Sequence, residues 1–172
     1  MSKIKKKRKE KRGSAVIEFV FGLLIFVLLF AFTVDMFNVI RKQHVVNSYA
    51  SSISRTISTQ GGIARTAPVN NTGRYMSSTA IYQKVTKDLD ETAKIKDFEI
   101  VLSGYNTNNA LQSKVTLTPN TDFRIDYGLR YQVEIEYDYK WTISSQIVPG
   151  LDRTFSKTIT KNGVSEFQYT RN

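Results

Sequence analysis

An apolar run long enough to cross a bilayer, broken by one carboxylate and preceded by a dense cluster of lysines and arginines, constrains this chain more than any other feature. From Ala15 to Val34 the residues are apolar apart from Glu18, Gly22 and Thr33. About twenty residues at about 1.5 Å each give roughly 30 Å, the thickness of a bilayer's hydrocarbon core. A carboxylate is costly in such a segment, so Glu18, five positions past Gly13, calls for a reason.

The basic cluster sets direction. Residues 1–13 carry eight Lys or Arg and one acid, a charge of +7 out of a formal +10 for the chain. Only Arg41 and Lys42 follow the span closely, so the N-terminus is expected on the cytoplasmic side and the remainder outside. The basic leader faces anionic lipid, and the nearly balanced remainder offers no broad basic face for a nucleic acid. A cleavable secretory signal has a shorter apolar core closed by small residues. Here the run is bulky and ends in Thr33-Val-Asp-Met-Phe37, so the segment is expected to stay with the protein.

Helical periodicity continues past the span. Val39, Val46 and Ile53 recur every seven positions, with Ala50 and Ile57 in the intervening slots. No proline precedes Pro68, and Gly61-Gly62 is a stop signal, so one helix is expected from about Ser14 to Thr59, close to 70 Å by its rise. Residues 61–77, rich in Gly, Asn and Pro, read as a linker.

Residues 78–172 read as an extracytoplasmic domain. Ile81, Val85 and Leu89 predict a helix over Ser78 to Ala93. Phe98 to Leu102, Lys114 to Thr118 and Asp122 to Tyr127 are predicted strands, with a turn at Asn106 to Asn109. Leu129 to Trp141 alternates apolar with polar residues without a miss, the mark of an antiparallel strand with one wet face, and Trp141 is placed on its aromatic side. Thr154 to Lys161, Asn162-Gly163 and Val164 to Tyr169 predict a two-residue hairpin. The fold class is α+β, a long N-terminal transmembrane helix with an outer helix and antiparallel sheet, and the outer part from about Gly62 is expected to fold without the span.

Gly13-Ser-Ala-Val-Ile-Glu18-Phe19 after a basic leader resembles the type III signal of prepilins and pseudopilins. Together with Asp35-Met-Phe37 and Tyr49-Ala-Ser-Ser-Ile-Ser-Arg55, the first 60 or so residues resemble TadE-like minor pseudopilins of the tight-adherence (Flp) pilus branch. One departure is the absence of cysteine, which many relatives carry in the later part, so the subgroup stays open. The resemblance implies cleavage between Gly13 and Ser14 by a prepilin peptidase. It also implies assembly through Glu18 and Phe19 with other pilins, pseudopilins and a pilus assembly platform, either in or priming an extracellular filament. The competing reading is an uncleaved, signal-anchored extracellular binding module.

Chemistry is expected to be absent. Without cysteine there is no disulfide, thiol nucleophile or Cys-ligated zinc. His44 has no acid close in sequence and reads as a solvated helix residue. Glu134, Glu136 and Asp138 share a strand face flanked by Arg130 and Lys140, which favours charge pairing over a metal. No phosphate loop, nucleophile elbow or HExxH occurs, so neither catalytic residues nor a cofactor is expected.

Overall fold

A computed structural model describes residues 2–67 and 75–167, with side chains described from Ser14 onward. Part of the expected linker (Pro68, Asn70, Asn71, Gly73) and the end of the expected last strand (Gln168, Tyr169) lie outside the described residues. The chain forms two compact units: Met1–Val39 with Lys140–Arg153, and Ile40–Tyr139 with Thr154–Asn172. The architecture is α+β, a long apolar N-terminal helix and an antiparallel sheet domain.

Helix α1 runs Ser2–Gln60, so the leader continues the helix. It ends as the glycine pair requires: Gly61 takes a positive φ of 72° and its N–H returns to the Ile57 carbonyl at 2.8 Å. Gly62 does more than stop the helix. Gly62–Ile63 is strand β1, paired antiparallel with β4 at Phe123–Arg124, and a Cβ on Gly62 would sit 2.1 Å from the Phe123 carbonyl oxygen. Residues 61–64, expected in a linker, are instead buried because the chain enters the core directly from the helix.

Helix α2 spans Ser78–Asp88, capped by the Ser77 hydroxyl accepting from the Ala80 N–H, and continues as a π-helical turn, Leu89–Ala93. Ile81, Val85 and Leu89 are buried as their spacing predicts. The main sheet has strands β2 (Phe98–Tyr105), β3 (Leu111–Thr116), β5 (Arg130–Lys140) and β6 (Thr154–Val164), in the order β3-β2-β5-β6. It is not a simple meander, because β5 returns to the free side of β2, setting Ile100 opposite Ile135 and Leu102 opposite Val133. The turn after β2 falls where expected, with Asn106 Oδ1 accepting from the N–H groups of Asn108 and Ala110.

Alternation along β5 gives the predicted face: Tyr131, Val133, Ile135 and Tyr137 are buried. Against the core pack Val46, Ala50, Ile53 and Ile57 from α1 with the apolar face of α2. The outer half of α1 is therefore one wall of the core. Burying a Val or Ile side chain contributes about 1.5–3 kcal/mol, so three of them are a large share of a small domain's stability.

Three expectations fail. The segment Asp122 to Tyr127 forms only the two-residue β4. Trp141 lies beyond the end of β5, and the ring stacked on Tyr139 is Phe155, with centroids 5.6 Å apart. Asn162-Gly163 is no hairpin either, since β6 runs straight through it. The glycine answers a different need: a Cβ on Gly163 would lie 2.2 Å from Tyr131 Oη. That phenol is fixed, donating to the Ser54 carbonyl at 2.6 Å and lying 3.1 Å from Ser54 Oγ.

Gly163→Ala should lower stability by about 1–3 kcal/mol through overpacking on Tyr131, while exposed Asn162→Ala should be nearly neutral. Equal costs in chemical denaturation would restore the turn reading. A piece starting at Ile40 should melt cooperatively, and one starting at Gly62, stripped of four core residues, should not. A sharp melt of the shorter piece would show that the α1 wall is dispensable.

Candidate functional site: the processing and assembly segment

Gly13 lies within α1, and the helix passes without interruption from the leader into the span. Ser14 and Glu18 are four residues apart, hence on one face, and both are exposed. Phe19 is 70 % exposed. Among the described residues Glu18 has no hydrogen-bond or ion-pair partner within the chain, and apolar neighbours flank it on both sides in sequence. From Val16 to Phe30 the apolar side chains stand exposed on every face, apart from half-buried Leu28. A helix apolar all round belongs in lipid or among other helices. Among the described residues one helix is long and apolar enough to cross a membrane.

The far end of the span holds a feature that sequence reading noted without assigning it a role. Ala31 and Asp35, one helical turn apart, are each 2 % exposed. Three consecutive backbone N–H groups converge on the Asp35 carboxylate: Thr142 at 3.1 Å, Ile143 at 3.1 Å to both oxygens, and Ser144 at 2.6 Å. They lead into a single helical turn, α3, Ser144–Ile147. Beside them the rings of Phe32 and Trp141 meet edge to face, 5.8 Å apart. Burial alone would push the Asp35 pKa up, but the donors from Ser144, Ile143 and Thr142 outweigh it and hold the carboxyl below its ordinary value. The available signal was an acid placed right at the end of an apolar run.

The motif from Tyr49 to Arg55 is a docking spine. Tyr49 donates to Asp88 Oδ2 at 2.8 Å, tying α1 to α2, while Ala50 and Ile53 enter the core and Ser54 receives Tyr131. Burial, then the hydrogen bond and the negative charge of Asp88, push the Tyr49 phenol up to about 12. His44 and Arg55 are exposed on the same helix.

The acidic strand face is arranged differently from the expected charge pairing. Glu134 accepts from the Gln132 amide at 3.1 Å and Asp138 from the Ser156 hydroxyl at 2.5 Å, while Arg130 donates to Asn109 Oδ1 at 3.1 Å. The donors are neutral side chains close by, Gln132 on the same strand and Ser156 on β6, while Arg130 is engaged at Asn109. Among the described residues, no three His, Cys, Asp or Glu side chains cluster to hold a metal.

The Asp35 clamp carries a pH signature. Its folded pKa lies below the unfolded value of about 3.9, so its contribution is fully present above that value and is lost as pH falls through the folded pKa. Asp35→Asn should cost about 1.5–3 kcal/mol, the range for hydrogen bonds to a charged group, and should remove an acid transition below about pH 4 in Trp141 fluorescence. Identical acid titrations of wild type and variant would mean the carboxylate does not hold the segment.

Comparison with known proteins adds one finding. No curated protein and no solved structure matches the chain. Residues 13–55 match the family model described as TadE-like protein. That stretch begins at Gly13, contains Glu18, Phe19 and Asp35, and ends at Arg55 on the docking spine, so the similarity runs from the expected processing site to the wall of the core.

Proposed function

We propose that this protein is a minor pilin or pseudopilin, a structural or assembly-priming subunit of a type IV pilus-like or secretion filament, and not an enzyme. The observation that carries this reading is Glu18, an exposed carboxylate that has no partner among the described residues, on a helix segment that is apolar on all faces around it. A lone acid there needs a cation from elsewhere. Cleavage after Gly13 by a prepilin peptidase supplies one. The new Ser14 amine lies one turn from Glu18, and packed subunits pair one chain's amine with the next chain's acid.

Gly13 suits the cut for a second reason. A protease takes its substrate extended, and glycine costs a helix about 1 kcal/mol relative to alanine, so the helix opens most cheaply there. The basic leader keeps the cut on the cytoplasmic side, and the body lies across the membrane from it. Partners are the peptidase, other pilins or pseudopilins, the assembly platform and lipid.

Coexpression with a prepilin peptidase should shorten the chain by thirteen residues, and Gly13→Leu should block it. An unshortened wild-type chain beside a processed control pilin would leave the anchored binding module as the reading. In the processed protein, Glu18→Gln should insert and be cleaved normally but lose incorporation with partner pilins. Removing one partner of a buried pair costs about 3–5 kcal/mol, enough to abolish a weak subunit contact. Wild-type crosslinking of the variant into the filament would make the acid incidental.

A further inference from the structure

We propose that residues 141–151 form a lipid-embedded wedge, seated at the headgroup–acyl boundary of the leaflet distal to the basic leader and fastened to the span by Asp35. The inference rests on α1 crossing the membrane and not on cleavage or filament entry.

Four observations converge on it. Depth comes first. The segment docks on Phe32, in the last turn of the apolar run, and on Asp35, which directly follows it, so its level is where the hydrocarbon ends. Composition is the second. Residues 141–151, Trp-Thr-Ile-Ser-Ser-Gln-Ile-Val-Pro-Gly-Leu, hold no charge, in a chain that is 23% charged. Lys140 on one side and Asp152-Arg153 on the other are exposed, where the basic chains can reach headgroups.

Exposure is the third. Ile143 and Ile147, one turn apart, are 37 % and 41 % exposed, and on α1 beside Asp35 the side chain of Phe37 is 68 % exposed. Water would penalise these groups, and a tryptophan between apolar and polar surroundings favours the bilayer interface.

The fourth observation is the backbone, which is largely provided for within the chain. Irregular chain at the headgroup–acyl boundary is less costly the more of its N–H groups are paired within the protein. Asp35 takes those of Thr142, Ile143 and Ser144. Gln146 and Val148 donate within the segment at 3.1 and 2.8 Å, Leu151 does so at 3.4 Å, and Pro149 has no N–H. The buried carboxylate is thus a positioning group that lets a short irregular segment enter the interface.

Trp141 is the chain's sole tryptophan, so it reports without engineering. The full chain is placed one copy per phosphatidylcholine nanodisc, with lipids brominated at shallow or deep acyl positions, and acrylamide serves as the aqueous quencher. The expected result is severalfold stronger quenching by shallow than by deep bromines, with weak acrylamide quenching. Strong acrylamide quenching without bromine quenching would overturn the proposal in favour of water. Protection from both quenchers would overturn it in favour of protein cover. Ile143→Lys with Ile147→Lys keeps the Asp35 bonds and should cut bromine quenching severalfold with unchanged circular dichroism; unchanged quenching in that variant would also overturn it. Carbonate-resistant membrane retention tells a failed wedge from a failed span.

Discussion

Everything in this protein depends on one helix serving two surroundings, and its residue pattern changes where the surroundings change. From Val16 to Phe30 the side chains of α1 are apolar on all faces apart from Glu18 and, with the exception of half-buried Leu28, exposed, a surface that only lipid or other helices can solvate. From Val46 onward the apolar residues narrow to a stripe, and Val46, Ala50, Ile53 and Ile57 vanish into a core. The same backbone hydrogen bonds run through both regimes, so the environment is written entirely in the side chains.

Two carboxylates mark the ends of the span, and their treatments are opposite. Glu18 has no partner among the described residues and is exposed among apolar groups, an arrangement that suits a contact made between subunits. Asp35 is satisfied within its own chain by three backbone donors, an arrangement that suits a fixed structural joint. One acid is kept available and the other is consumed.

Local patterns proved readable wherever one face of an element meets a core. The alternation of β5 and the spacing of Ile81, Val85 and Leu89 both predicted burial correctly, because period alone decides which side chains share a face. Glycine was the weak point. Asn162-Gly163 has the composition of a tight turn, yet Gly163 is small to admit the Tyr131 ring from a distant strand. Gly62 likewise yields to the Phe123 backbone. Nothing near either glycine in sequence announces the neighbour that excludes a side chain.

The sequence by itself determined the span, its basic leader, the amphipathic outer helix, the α+β class and the candidate processing segment from Gly13 to Phe19, since all of these rest on residue type and local spacing. Tertiary structure alone decided that β5 pairs with β2, that residues 61–64 enter the core and that Trp141 meets Phe32 and leaves the sheet. It alone joined Asp35 to Ser144, more than a hundred residues away. Those are contacts between distant parts of the chain, chosen by shape and by the need of buried donors and acceptors to find one another, and no local pattern encodes them.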